Sequence, residues 1–183
     1  VTTMIEMFKK AKSFNQSLNS WNVSQVLDMD SMFDKAESFN GQLDSWNVSR
    51  VTNMFSMFSE AKSFNQPLNS WNVSKVTVME LMFALAKSFN QPLNTWNVSN
   101  VSYMKRIFRG AKAFNQPLFN FNLGLSDRYE SDMFSGSGMP LFAQLYPYEY
   151  LTYFGRASGE YLKKNNLVND WDGVFNVDHI GYK

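Results

Sequence analysis

Apolar positions recur along the chain with a period of 25 residues. Counting from Val1, position 1 is Val in every copy (Val1, Val26, Val51, Val76, Val101), and position 4 is Met (Met4, Met29, Met54, Met79, Met104). Positions 7 and 8 are Met-Phe four times and then Ile107-Phe108, and position 11 is Ala from Ala11 to Ala111. At about 100° per residue these side chains fall within an arc of roughly 120°. That pattern predicts a short amphipathic helix. Position 14 is always Phe and position 15 always Asn (Asn15, Asn40, Asn65, Asn90, Asn115). Asn tolerates left-handed geometry and bonds its own local backbone, so it marks the helix exit. Pro67, Pro92 and Pro117 follow in the last three copies and bar any continuation. Ser24, Ser49, Ser74 and Ser99, or the Thr/Ser at position 2, are the expected caps of the next helix.

The second half of each period alternates. Leu18, Leu43, Leu68, Leu93 and Leu118 lead into Trp-Asn-Val-Ser, or Phe121-Asn122-Leu123 in the fifth copy. Alternation turns Trp21 and Val23 inward and Asn22 outward, which predicts a short strand. One such unit cannot bury its own apolar face, whereas a stack can, so a strict period implies stacked units. The expected fold is therefore a right-handed α/β repeat solenoid. It would be a leucine-rich-repeat-like parallel strand stack with short helices, its strands about 4.8 Å apart, closed by an aromatic-rich C-terminal cap.

The expected division is five tandem repeats over residues 1–125, a degenerate sixth over 126–139, and a C-terminal cap or docking segment over 140–183. Met133-Phe134 carries the sixth repeat, displaced by one residue from the register. As a docking segment, the tail would engage through Tyr146, Tyr148, Tyr150, Tyr153 and Trp171. The chain starts at Val1, in phase with the repeat, so a processed or truncated piece of a longer polypeptide is expected. The first unit has no strand before it, and its core face is expected to be open to upstream residues or another subunit.

Composition narrows the function classes. Hydrophobic residues make up 44% and charged residues 18%, which places the chain outside both disordered and membrane-spanning proteins. A net charge of +1 supplies no field for phosphate backbones, so nucleic acid is not expected as a partner. There is no cysteine, hence no disulfide framework and no thiolate metal site. No apolar run approaches the roughly 18 residues of a transmembrane helix.

Chemistry-bearing residues are few. His179 is the only histidine, and no nucleophile elbow or phosphate-binding loop accompanies it. Neither catalytic residues, nor a metal site, nor a cofactor is expected, and an enzyme is not the reading. Asp170-Trp171-Asp172-Gly173 lacks the first oxygen ligand of a calcium loop and is better taken as a turn. Asn-Val-Ser recurs at Asn22, Asn47, Asn72 and Asn97, with a further sequon at Asn100. In a stack these Asn would stand about 5 Å apart, too close for a glycan on each, so a side-chain hydrogen-bond ladder is expected. Position 12 (Lys12, Glu37, Lys62, Lys87, Lys112) suits either a basic stripe for anionic glycans or headgroups, or a solvated helix terminus. The Met columns belong to the core.

The columns Val-x-x-Met-x-x-Met-Phe-x-x-Ala-x-x-Phe-Asn-x-x-Leu-x-x-Trp-x-Val-Ser resemble the BspA-type surface-protein repeats. These are a divergent branch of the leucine-rich repeats found in mycoplasma lipoproteins, other bacteria, protists and large DNA viruses. The match covers residues 1 to about 125. The resemblance implies a leucine-rich-repeat-like solenoid displayed outside a cell or on a particle, often in adhesion, and it implies no enzyme activity. This chain departs from the family in one column, with Asn22, Asn47, Asn72, Asn97 and Asn122 where Asp often follows the Trp. The outer face is thereby neutral, which weakens any cation-dependent contact.

Two functional expectations follow. The first is a non-enzymatic structural or protein-interaction module, extracellular or on a cell or particle surface, with a protein neighbour in an assembly as partner. It would dock through its open N-terminal end, its tail, or the variable positions 2, 3, 5, 6, 9 and 10. The second is an adhesin that binds carbohydrate or a host protein through the row Asn22, Asn47, Asn72, Asn97 and Asn122.

Overall fold

A computed structural model describes residues 1–118, 121 and 132–145. The expected α/β architecture is not what forms. Among the described residues there is no strand, and the single helix is α1, Leu141–Leu145, outside the repeats. The leucine-rich-repeat-type solenoid, with parallel strands backed by short helices, is therefore overturned. Each repeat is instead a run of turns. Neighbouring repeats meet at four isolated parallel bridges, Thr3↔Asp28, Asp28↔Asn53, Asn53↔Val78 and Val78↔Tyr103. These lie at position 3, not in the Trp-Asn-Val segment where pairing was expected.

The backbone explains why positions 4–11 are not helical. Positions 6 and 10 are left-handed: in the third repeat Ser56 has φ 49° and Glu60 φ 54°. Such a conformation costs an L-residue about 1–2 kcal/mol and interrupts a right-handed helix. What offsets it is hydrogen bonding across the repeat boundary. The amides of Met54, Ser56, Phe58 and Glu60 donate to the carbonyls of Val78, Glu80, Met82 and Ala84 at 2.7–2.9 Å. The interleaved amides close local turns, with Met57 bonding Met54, Ser59 bonding Ser56 and Ala61 bonding Phe58. Alternate N–H groups thus point along the stack and back into their own turn. A helix would have sent all of them to the fourth residue before.

The inward arc is nonetheless the one the spacing describes. Val51, Met54, Met57, Phe58, Ala61, Phe64 and Leu68 are fully buried, and the second and fourth repeats match this. Position 8 forms a file of parallel rings: Phe33, Phe58, Phe83 and Phe108 are stacked at 5.4–5.7 Å between centroids. Position 14 forms a second file, Phe39, Phe64, Phe89 and Phe114, at 5.8–6.0 Å. Within a repeat the two files touch, with Phe58 and Phe64 at 4.0 Å. Parallel stacked rings of this kind add about 0.5–1.5 kcal/mol per pair beyond burial.

The indoles lock successive repeats together. Trp46, Trp71 and Trp96 are buried and donate Nε1 to the carbonyls of Leu18, Leu43 and Leu68 at 2.9–3.0 Å. Beyond the fifth repeat, Phe134 continues the ring file against Phe108 at 5.9 Å. Phe108 and Gly110 donate to the carbonyls of Met133 and Ser135 at 3.0 and 2.8 Å. Met133 and Ser135 thus take two of the outward amides of the fifth repeat, with Gln144 on α1 bonding Ser137 and Met139.

Candidate interaction surfaces

Asn22, Asn47, Asn72 and Asn97 lie exposed beside buried Val23, Val48, Val73 and Val98, so the outward turn of this column holds without a strand. Asn122 and the tail residues Tyr146, Tyr148, Tyr150, Tyr153 and Trp171 lie outside the described residues, as do Asp170 and His179. The four Asn do not form the expected ladder with one another. Each Oδ1 accepts instead from the backbone amide two residues on, in Ser24, Ser49, Ser74 and Ser99, at 3.1 Å. These serines close an Asx turn; none of them caps a helix. The Nδ2 groups make no hydrogen bond among the described residues and face solvent as a row of amide donors.

The side-chain ladder belongs to position 15. Asn15, Asn40, Asn65 and Asn90 each accept, through Oδ1, the backbone amide of the next Asn at 2.7–2.9 Å. Gln66, Gln91 and Gln116 add Nε2 donors to Asn40, Asn65 and Asn90 at 3.0–3.1 Å. The sequence marks these Asn as turn residues. Their bond to the next copy has no local signal beyond the invariance of the column.

Position 12 is not a continuous basic stripe. Glu37 sits between two lysines, with Lys62 at 2.6 Å and Lys12 at 3.3 Å. Hydrogen bonds from Lys62 and Lys12 hold its carboxyl below the usual carboxylate range. Asp34, three residues earlier, shifts upward because burial penalises its charge, an effect opposed by Lys35, a Ser59 hydrogen bond and Lys9. Among the described residues no three potential metal ligands come together, and no helix is long and apolar enough to cross a membrane.

The largest departure from the repeat pattern is at the first copy. Met7 is 46% exposed and Trp21 39%, against at most 3% for their buried counterparts Met32, Met57, Met82, Trp46, Trp71 and Trp96. Phe8 and Phe14 stack at 4.3 Å and are only partly buried. The carbonyls of Thr3, Ile5, Met7 and Lys9 accept no hydrogen bond among the described residues, although their equivalents in the next four repeats do. Among the described residues, this face of the first repeat is apolar, aromatic and bordered by unused acceptors.

Fold and surfaces together define a tandem-repeat protein built on a 25-residue unit of stacked turns. The chain belongs to the family described as Mycoplasma protein of unknown function, DUF285, which it matches over residues 1–84 and again over 42–140. No curated protein and no solved structure matches it.

Proposed function

We propose that this chain is a non-enzymatic structural or protein-interaction module of the BspA type, displayed on the surface of a cell or large particle. The observation that carries this reading is where the apolar surface lies. Repeats two to five consume their Met, Phe and Trp columns in mutual packing, while Leu27, Leu85 and Tyr103, at the variable positions 2, 10 and 3, stand exposed along the stack. Large apolar side chains left outward at positions that vary between repeats suit a protein neighbour. Cross-linking mass spectrometry on native source material tests it, by identifying proteins joined to the lysines of residues 1–125. Reproducible links to one abundant neighbour support the module; links confined to the chain itself overturn it.

A second reading has its own observation. The Nδ2 donors of Asn22, Asn47, Asn72 and Asn97 form a flat row of nearly identical groups, suited to a repetitive ligand rich in hydroxyl acceptors. In that case the chain is an adhesin for carbohydrate. Binding on a glycan array that is lost in the Asn47→Ala, Asn72→Ala double variant supports it. An unchanged array profile removes it.

A further inference from the structure

The ion pairs of the first three repeats all use positions 6, 9, 10 and 12. Lys9 pairs with Glu6, Lys35 with Glu60, and Glu37 lies between Lys12 and Lys62. Positions 6, 9 and 10 are polar throughout those repeats: Glu6, Lys9 and Lys10, then Ser31, Asp34 and Lys35, then Ser56, Ser59 and Glu60. In the fourth repeat the same three positions turn apolar together, as Leu81, Ala84 and Leu85. Ala84 is buried and Leu81 half-buried, but Leu85 is exposed.

The fifth repeat is cationic beside this apolar step. Lys105, Arg106, Arg109 and Lys112 are all exposed, and no Asp or Glu occurs between Val101 and Leu118. The amide of Leu81 donates to the Lys105 carbonyl at 3.0 Å and that of Leu85 to the Arg109 carbonyl at 2.7 Å, which sets the two steps side by side. Position 10 is here Gly110, where a Cβ would lie 2.5 Å from Cδ2 of Leu85, so the leucine lies over bare backbone. Arg106 pairs with Asp132 at 3.4 Å. Among the described residues Lys87, Lys105, Arg109 and Lys112 hold no ion pair. We propose that Leu81 and Leu85, bordered by Lys87, Arg109 and Lys112, form a docking site for an acidic segment of another protein that carries an apolar side chain among its carboxylates.

The inference rests on the interaction-module reading and names the chemistry of the partner. Cations without a neighbouring acid favour an anionic ligand and raise its rate of encounter. Arg109 offers the forked donors that match a carboxylate. The leucines decide between anions. A polyanionic glycan has no apolar group with which to cover them, and a bilayer surface calls for a broad apolar face instead of a step one repeat wide. A peptide supplies carboxylates and an apolar anchor at this scale.

The probe is a short fluorescein-labelled peptide of Asp and Glu with a central Leu-Phe pair, titrated with the chain of 183 residues and read by anisotropy. The expected result is saturable binding that weakens as salt is added, and weakens at least fivefold when Gly-Ser replaces Leu-Phe. The variants borrow residues that other repeats already carry at the same positions, which preserves the fold: Leu85→Lys matches Lys35, Arg109→Ser matches Ser59, and Lys112→Glu matches Glu37. Leu85→Lys adds a cation, so a loss there reports the apolar contact alone; at least threefold is expected. Arg109→Ser and Lys112→Glu together should weaken binding at least tenfold. Lys75→Glu, an exposed charge reversal in the third repeat, should leave it within about twofold. No saturable binding, equal binding of the two peptides, tighter binding by Leu85→Lys, or equal loss with Lys75→Glu overturns the proposal. So does tighter binding to heparin or to phosphatidylserine vesicles than to the peptide. If the peptide fails while native cross-linking still finds a neighbour, the docking site falls and the interaction module stands.

Discussion

The indole Nε1 of Trp71 donates to the carbonyl of Leu43 at 3.0 Å, across 28 residues of sequence. The indole itself is buried, so its N–H has no water to turn to. In the fifth repeat Phe121 fills the same column and is fully buried without a donor. Trp71→Phe is therefore expected to lose the bond together with part of the buried indole volume, lowering stability by about 1–3 kcal/mol. Trp71→Ala should cost about 3–5 kcal/mol, because it also opens a cavity. Urea unfolding of the two variants measures how much of the cost comes from the volume that Phe retains and Ala does not.

Left-handed backbone at positions 6 and 10 makes a second prediction. Lys35 has φ 61°, and Gly110 occupies the equivalent place with φ 68°. Among the described residues none of the left-handed positions carries a β-branched residue. Lys35→Gly should raise stability by about 0.5–1 kcal/mol by relieving the Cβ clash. The Lys35–Glu60 pair it removes, 3.5 Å apart with both side chains well exposed, contributes little. Lys35→Val should instead lower stability by about 1–2 kcal/mol. Thermal melts of the pair check the sign of each change.

Gly41 breaks the column in which Gln16, Gln66, Gln91 and Gln116 stand. A Cβ there would lie 2.4 Å from the Gln16 carbonyl oxygen and 2.9 Å from the Phe39 ring. The backbone of the previous repeat cannot withdraw without breaking its joint. Restoring the consensus with Gly41→Gln should therefore destabilise the protein, by about 1–3 kcal/mol. A rise in the denaturation midpoint would contradict the close approach.

Glu37 predicts a pH dependence. Its carboxyl is held below the ordinary range by Lys62 and Lys12, so its native state binds a proton less readily than the unfolded chain. The stability it contributes is present above the unfolded pKa and is lost as pH falls through the lower folded value. The melting-temperature gap between the wild-type chain and Glu37→Gln should be open at neutral pH and close in acid. A gap unchanged by pH would mean that the ion pairs contribute nothing.

Asp34 has the opposite sign. Burial raises its pKa, so the native state holds the proton more tightly and the cost of the carboxylate appears as pH rises through the folded value. Asp34→Asn should thus be stabilising at neutral pH and indifferent in acid, as measured by the same melts.

Much of the inward and outward sorting was legible in the residues. Met54, Phe58, Ala61 and Trp71 were assigned inward and Asn72 outward from spacing alone, and each lies where the spacing placed it. The secondary structure did not follow. A helix and a left-handed turn run can present the same apolar columns, because periodicity records where side chains point and not where amides donate. The Asn ladder moved from position 22 to position 15 for a related reason. Asn22 satisfies itself two residues away, whereas Asn15 meets a partner that is 25 residues distant.

By itself, then, the sequence determined the length of the unit, the side chains that share its core, and the stacking of one unit on the next. These depend on burying apolar area, which identical units achieve only together. The tertiary structure decided the backbone conformation. The amides of Met54, Ser56, Phe58 and Glu60 could have served a helix, but bonding the following repeat satisfies them equally while holding the ring files in register. That choice rests on a neighbour 25 residues away, and no local propensity encodes it.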